Sequence, residues 1–110
     1  MTDTFAKIIK LVKTGDVKIS DHGYDELVND NLSVREIVQG IENAIIVEDY
    51  PKYPKGASVL LLQSDKDNNR IHVVWGIPKG YNRPAVLITA YRPDPNRWNS
   101  NYTERKNEKT

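Results

Sequence analysis

Up to Ile41 the apolar positions recur at helical spacing; from Ala44 to Tyr91 they alternate or run together, as strands do. Phe5, Ile8, Ile9 and Val12 form the stripe of an amphipathic helix, with Thr2 or Asp3 to cap its start and Gly15 to end it. Val17-Lys18-Ile19 alternates briefly, as an edge strand would. Ser20-Asp21 then offers side-chain oxygens to the free N–H groups of a second helix from about His22 to Asp30, which should bury Tyr24, Leu27 and Val28. Ser33 with Glu36 is a capping box for a third helix, whose buried face is Val34, Ile37, Val38 and Ile41.

The β half begins with Ala44 to Tyr50, broken by Pro51 and Pro54. Ser58 to Ser64 and Arg70 to Ile77 flank a polar turn, Asp65 to Asn69, and predict a hairpin. Pro78 to Arg83 reads as a basic loop, and Ala85 to Arg92 as the last strand, stopped by Pro93 and Pro95. The expected fold is α+β: helices packed on one face of a four-stranded, mainly antiparallel sheet whose other face is partly open. Residues 1–99 make a single domain, and 100–110 a charged tail that is loosely ordered or a short helix.

Composition narrows the chemistry. The 110 residues include no cysteine, which removes disulfides, thiolate nucleophiles and cysteine-based zinc sites. No stretch approaches the roughly 20 apolar residues of a membrane span, and the N-terminus has no signal-peptide run, so a cytoplasmic protein with no membrane partner is expected. Net charge is +1, but residues 1–56 carry 7 basic and 10 acidic side chains whereas residues 57–110 carry 9 and 5. A basic sheet half suggests a phosphate-facing surface.

Several motifs carry a family resemblance. Ser20-Asp21-His22 opening a helix, Ser33 with its capping box, Ile71-His72-Val73-Val74-Trp75, and the closing Leu87-Ile88-Thr89-Ala90-Tyr91-Arg92-Pro93-Asp94 with Trp98 resemble the bacterial family called Domain of Unknown Function 4258. The resemblance covers roughly residues 17–105. Gly23 stands where that family usually has alanine, and Glu26-Leu27 where it has Arg-Met. The layout is similar, more distantly, to the RelE-type and BrnT-type toxins of toxin–antitoxin pairs. That similarity implies a small ribonuclease whose partners are RNA and an antitoxin protein.

Metal-independent RNA cleavage needs a base near the 2′-hydroxyl, an acid for the leaving 5′-oxygen, and cations at the phosphate. The two histidines, His22 and His72, are the candidate acid and base. His22 lies at a helix start, where it could equally bond local backbone. His72 lies mid-strand, where it could meet Thr89 or Tyr91, or be a half-buried structural residue. Tyr91 would orient substrate, and Arg83, Arg92 and Arg97 would hold phosphates, with Lys79 and Arg105 adding positive field. Trp98 could stack on a base or anchor the tail. No carboxylate pair, Gly-rich phosphate loop, metal site or cofactor motif is apparent. The rival expectation is a non-catalytic interaction domain, forming a homodimer or binding an antitoxin-type partner through its open face or edge strand.

Overall fold

The computed structural model describes residues 2–106. Helix α1 spans Asp3–Lys13 and starts where the Thr2 hydroxyl accepts the Phe5 N–H at 3.2 Å. Its stripe of Phe5, Ile8 and Val12 is buried against the sheet. Strand β1 (Val17–Ile19) leads directly into α2 (Asp21–Asn29), and α3 (Val34–Gly40) continues as a 3₁₀ turn at Ile41–Asn43. Strands β2 (Ile45–Tyr50), β3 (Ser58–Ser64), β4 (Arg70–Gly76) and β5 (Ala85–Tyr91) complete the chain.

The class is α+β, but the expected four-stranded sheet has five strands and is mixed, in the order β1-β5-β4-β3-β2. The added strand is β1, which runs parallel to β5 with Val17 opposite Ala85 and Ile19 opposite Leu87. Three residues give too short a pattern to show a partner this distant in the chain. The remaining pairs are antiparallel, and the expected β3–β4 hairpin forms with Leu62 opposite His72. Among the described residues, no helix is long and apolar enough to cross a membrane.

One sheet face receives the helices. Val59, Leu61, Ile71, Val73, Trp75, Leu87 and Ala90 pack there against Phe5, Ile8, Ile37 and Ile41. Leu87 and Ala90 share this face because Ile88 is an extra residue in the β4–β5 ladder, where Val74 pairs with Thr89 but Trp75 with Leu87. The bulge keeps Thr89 and Tyr91 on the opposite face with His72 and Val74.

Helix α2 lies along β5 where β1 stops. The Ser20 hydroxyl accepts the Gly23 N–H at 2.9 Å and donates to the Ile88 carbonyl at 2.9 Å, so one residue caps the helix and ties it to the strand. A Cβ on Gly23 would lie 2.7 Å from the Leu87 oxygen, which explains glycine at this contact. Only Gly23 and Leu27 of this helix are buried. Tyr24 and Val28, expected in the core, are 61% and 62% exposed because a helix at a sheet edge presents a narrower stripe than one lying across it.

At the far end of the sheet, the β3–β4 ladder continues into the flanking loops. The Ile77 N–H donates to the Ala57 carbonyl at 2.9 Å and the Lys79 N–H to Lys55 at 3.0 Å. Gly56 makes this closure possible: its φ is +129°, and a Cβ there would lie 2.0 Å from the Ile77 oxygen. Gly80 also has positive φ but faces open space. Gly56→Ala should therefore lower the unfolding free energy by about 2 kcal/mol or more, against about 1 kcal/mol for Gly80→Ala. Urea denaturation measures both, and equal losses would contradict the close approach.

Candidate functional site

The helix-free sheet face divides into a covered half and an open half. In the covered half His72 is completely buried. It sits opposite Tyr91 in the ladder, with the Tyr91 hydroxyl 3.3 Å from Nδ1 and the Tyr102 carbonyl 2.8 Å from Nε2. A carbonyl can only accept, so Nε2 carries the proton; in the neutral ring, which burial favours, Nδ1 accepts from the tyrosine and both nitrogens are satisfied. Burial pushes its pKa below the ordinary value, outweighing the Tyr102 bond and the nearby Glu48 charge that favour protonation. Burial likewise raises the Tyr91 hydroxyl.

The cover is the segment after β5. Trp98 is 3% exposed and stands edge-on to the His72 ring, with centroids 4.4 Å apart. Trp98 and Arg105 form an antiparallel bridge, and the Asn99 side-chain oxygen accepts the N–H groups of Thr103 and Glu104, closing the segment on itself. Arg105 lies 4.7 Å from the centre of the Trp98 ring and forks onto Glu48 with bonds of 2.9 and 3.1 Å. The Arg105 bond is the main reason the Glu48 carboxyl is held below the usual range. Residues 100–106, part of the stretch 100–110 expected as a loose or helical tail, are thus a strap across β2–β5; residues 107–110 lie outside those described. One tryptophan in a polar stretch anchors it, which is one of the two roles the sequence allowed for Trp98.

The other residues singled out from the sequence do not gather here. His22 is exposed on α2, 3.8 Å from Glu26, with α2 seated at the sheet edge. Each of the three arginines holds a carboxylate. Arg83 forks onto Asp16 from the β4–β5 loop. Arg92 contacts Asp65 at 2.9 Å and also binds the Asp30 carbonyl, tying the end of α2 to the β3–β4 turn. Arg97 lies 3.9 Å from Asp94. Each of these guanidiniums already faces a carboxylate, whose charge opposes a phosphate there.

The open half shows what the sequence reading passed over. Gly76, Val86, Ile88, Ile77 and Pro78 line an apolar hollow of about 360 Å³, with Tyr53 and Lys55 on its rim. Tyr53 and Gly56 also border a second hollow of about 510 Å³, which Lys7, Lys52, Lys79 and Tyr81 line. Tyr53 and Tyr81 are 51% and 71% exposed, and Tyr53 lies 6.4 Å from Tyr50, centroid to centroid. The sequence signal was available: Pro51-Lys52-Tyr53-Pro54-Lys55-Gly56 interleaves lysine with an aromatic. It was hidden because Lys7, Lys52 and Lys55 belong to the half of the chain that is acidic in sum. Among the described residues, no group of three or more histidine or carboxylate side chains is placed to hold a metal ion.

Residues 19–92 match the family model described as Domain of unknown function (DUF4258). No curated protein and no solved structure matches the chain.

Two outcomes follow from the covered half. The native state holds His72 with a depressed pKa, so below the ordinary value of about 6.5 the unfolded chain binds more protons. The stabilisation is complete above that pH and is lost as pH falls toward the native pKa. Unfolding free energy measured from pH 7 to pH 5 should therefore decline, and His72→Gln should flatten the slope. An unchanged slope would contradict the burial. Glu48 also loses its native advantage in acid, but only below about pH 4.5, outside this window. Trp98→Ala should cost about 3 kcal/mol and move the His72 titration, followed by NMR, up toward its ordinary value.

Proposed function

Because the chain belongs to the family described as Domain of unknown function (DUF4258), we propose its function from the helix-free sheet face: a toxin-like protein that binds RNA and cleaves it, as the ribonuclease of a toxin–antitoxin pair. The observation that carries this reading is the neutral His72 bonded to Tyr91 on that face, bordering the open half of the sheet. Helices on one side of a sheet and a free face on the other also suit the RelE-like and BrnT-like layout that the sequence resembles.

The chemistry asked of the pair is modest. A base takes the 2′-hydroxyl proton as that oxygen attacks phosphorus, the P–O5′ bond breaks, and an acid returns a proton to the leaving 5′-oxygen. A 2′,3′-cyclic phosphate and a 5′-hydroxyl result. Neutral His72 is in the state a base requires, and Tyr91 can hold the ring or donate. Both act only when Trp98 leaves the ring, so the strap would set when the centre is exposed. His22, on α2, would stay outside this step.

A second reading has its own support. Complete burial of His72 and paired arginines are what a non-catalytic domain would show, one that binds an antitoxin-type protein or a second copy. The outer strand β2, with Ile45 49% exposed, would be its docking edge.

Incubating the purified protein with messenger RNA separates the two. Cleavage is expected, falling by about 100-fold or more in folded His72→Ala and rising in Trp98→Ala. No cleavage and no salt-sensitive RNA binding, together with a stable dimer in solution, would replace the first reading by the second.

A further inference from the structure

Positive charge on this molecule is divided between two populations. Arg83, Arg92, Arg97 and Arg105 each hold a carboxylate, as does Lys13. Lys7, Lys52, Lys55 and Lys79 are all exposed, and among the described residues none has a carboxylate within ion-pair distance; the same holds for Lys10, Lys18, Arg35, Lys66, Arg70 and Lys106, but those are scattered elsewhere in the chain. The four named lysines meet at one end of the sheet, where among the described residues Asp3 is the only acid lining either hollow. The Lys79-to-Lys55 backbone bond sets two of them side by side across the extended ladder. Like charges opposite one another in a ladder repel, and among the described residues no carboxylate pairs with either of them. An anion from outside would relieve the repulsion.

The hollow beside them is not built for an anion alone. Its walls are Val86, Ile88, Ile77 and the bare backbone of Gly76, with the Tyr53 ring at the mouth. A side chain in place of Gly76 would meet Ile88 at 2.8 Å, so glycine keeps this floor low. An apolar recess under an exposed tyrosine, with Lys55 on its rim and Lys52 and Lys79 lining the adjoining hollow, matches a flat heterocycle attached to a phosphate. Because every base has a π-face, such a site tolerates sequence. A paired base could not enter, since its faces are covered by its neighbours in the helix.

We infer that the loop end formed by Pro51–Ala57 and Ile77–Asn82 is a binding site for single-stranded RNA, in which an unstacked base enters the hollow against Tyr53 and adjoining phosphates lie on Lys55, Lys79 and Lys52. This rests on the RNA reading above and gives it a substrate class. It locates grip apart from chemistry, with the strand entering at the lysine end and crossing the open half toward His72.

Fluorescence anisotropy of a labelled single-stranded oligoribonucleotide about 8 nucleotides long, within the usual span of single-strand sites, tests it. Lys55→Gln/Lys79→Gln should lower the slope of log affinity against log salt by about 1.4, at roughly 0.7 per lost phosphate contact. Tyr53→Ala should weaken binding about tenfold with the slope unchanged. Lys66→Gln, in the β3–β4 turn at the opposite end of the sheet, should match the parent. Thermal unfolding of each variant confirms the fold. If the parent binds RNA but these variants bind as it does, this site is wrong while the RNA reading stands. If duplex RNA binds as tightly as the single strand, the base recess is wrong. If the parent binds no RNA, both the site and the functional reading fall.

Discussion

A neutral imidazole buried within a sheet has two ring nitrogens to satisfy, and leaving either unpaired costs about 1–3 kcal/mol. In this chain the neighbouring strand supplies one partner, the Tyr91 hydroxyl, and the strap supplies the other, the Tyr102 carbonyl. Trp98 then excludes water from the pair, and the Arg105–Glu48 fork holds the strap to β2. One polar residue in the middle of β4 thereby determines where the last ten or so described residues go. It also divides the helix-free face, since the strap reaches the row of Leu62, His72 and Tyr91 and leaves Gly76 and Val86 uncovered.

The covered and open halves make different physical demands. The covered half is a closed set of hydrogen bonds, sensitive to acid because protonating His72 breaks its bond from Tyr91. The open half has little to satisfy: apolar walls, an exposed tyrosine and lysines that pair with no carboxylate among the described residues. Its loops are held by backbone bonds through Gly56, so the lysines project from a fixed platform. A face with one sealed polar centre and one accessible recess suits a protein that grips a flexible polymer and exposes its reactive centre only on displacement of a cover.

Much of the fold could be read in the chain because its signals are local. Thr2, Ser20 and Ser33 cap the three helices as their positions suggested, and Asp65 to Asn69 turns the expected hairpin. What escaped depends on contacts between distant residues. Strand β1 acquires meaning only beside β5, the bulge at Ile88 shifts a face without marking the sequence, and Tyr24 looks like core until α2 is known to sit at an edge. The site divides in the same way. His72 with Tyr91 was legible from strand alternation, whereas Arg83 and Arg92 could not be known to be paired, because Asp16 and Asp65 reach them from far along the chain. Lys79 stood out in its basic loop, but Lys7, Lys52 and Lys55 escaped because their half of the chain is acidic in sum, while a partner meets charge as it is distributed over a surface.

We propose that the helix-free face, entered from its lysine end, receives single-stranded RNA. The most direct measurement is an NMR titration of the isotope-labelled protein with a short single-stranded oligoribonucleotide. The earliest shifts are expected at Tyr53, Lys55, Gly76 and Lys79, followed at higher occupancy by the Trp98 indole and Tyr102 as the strap is disturbed. Shifts confined to the exposed surfaces of α2 and α3, or none at all, would contradict it.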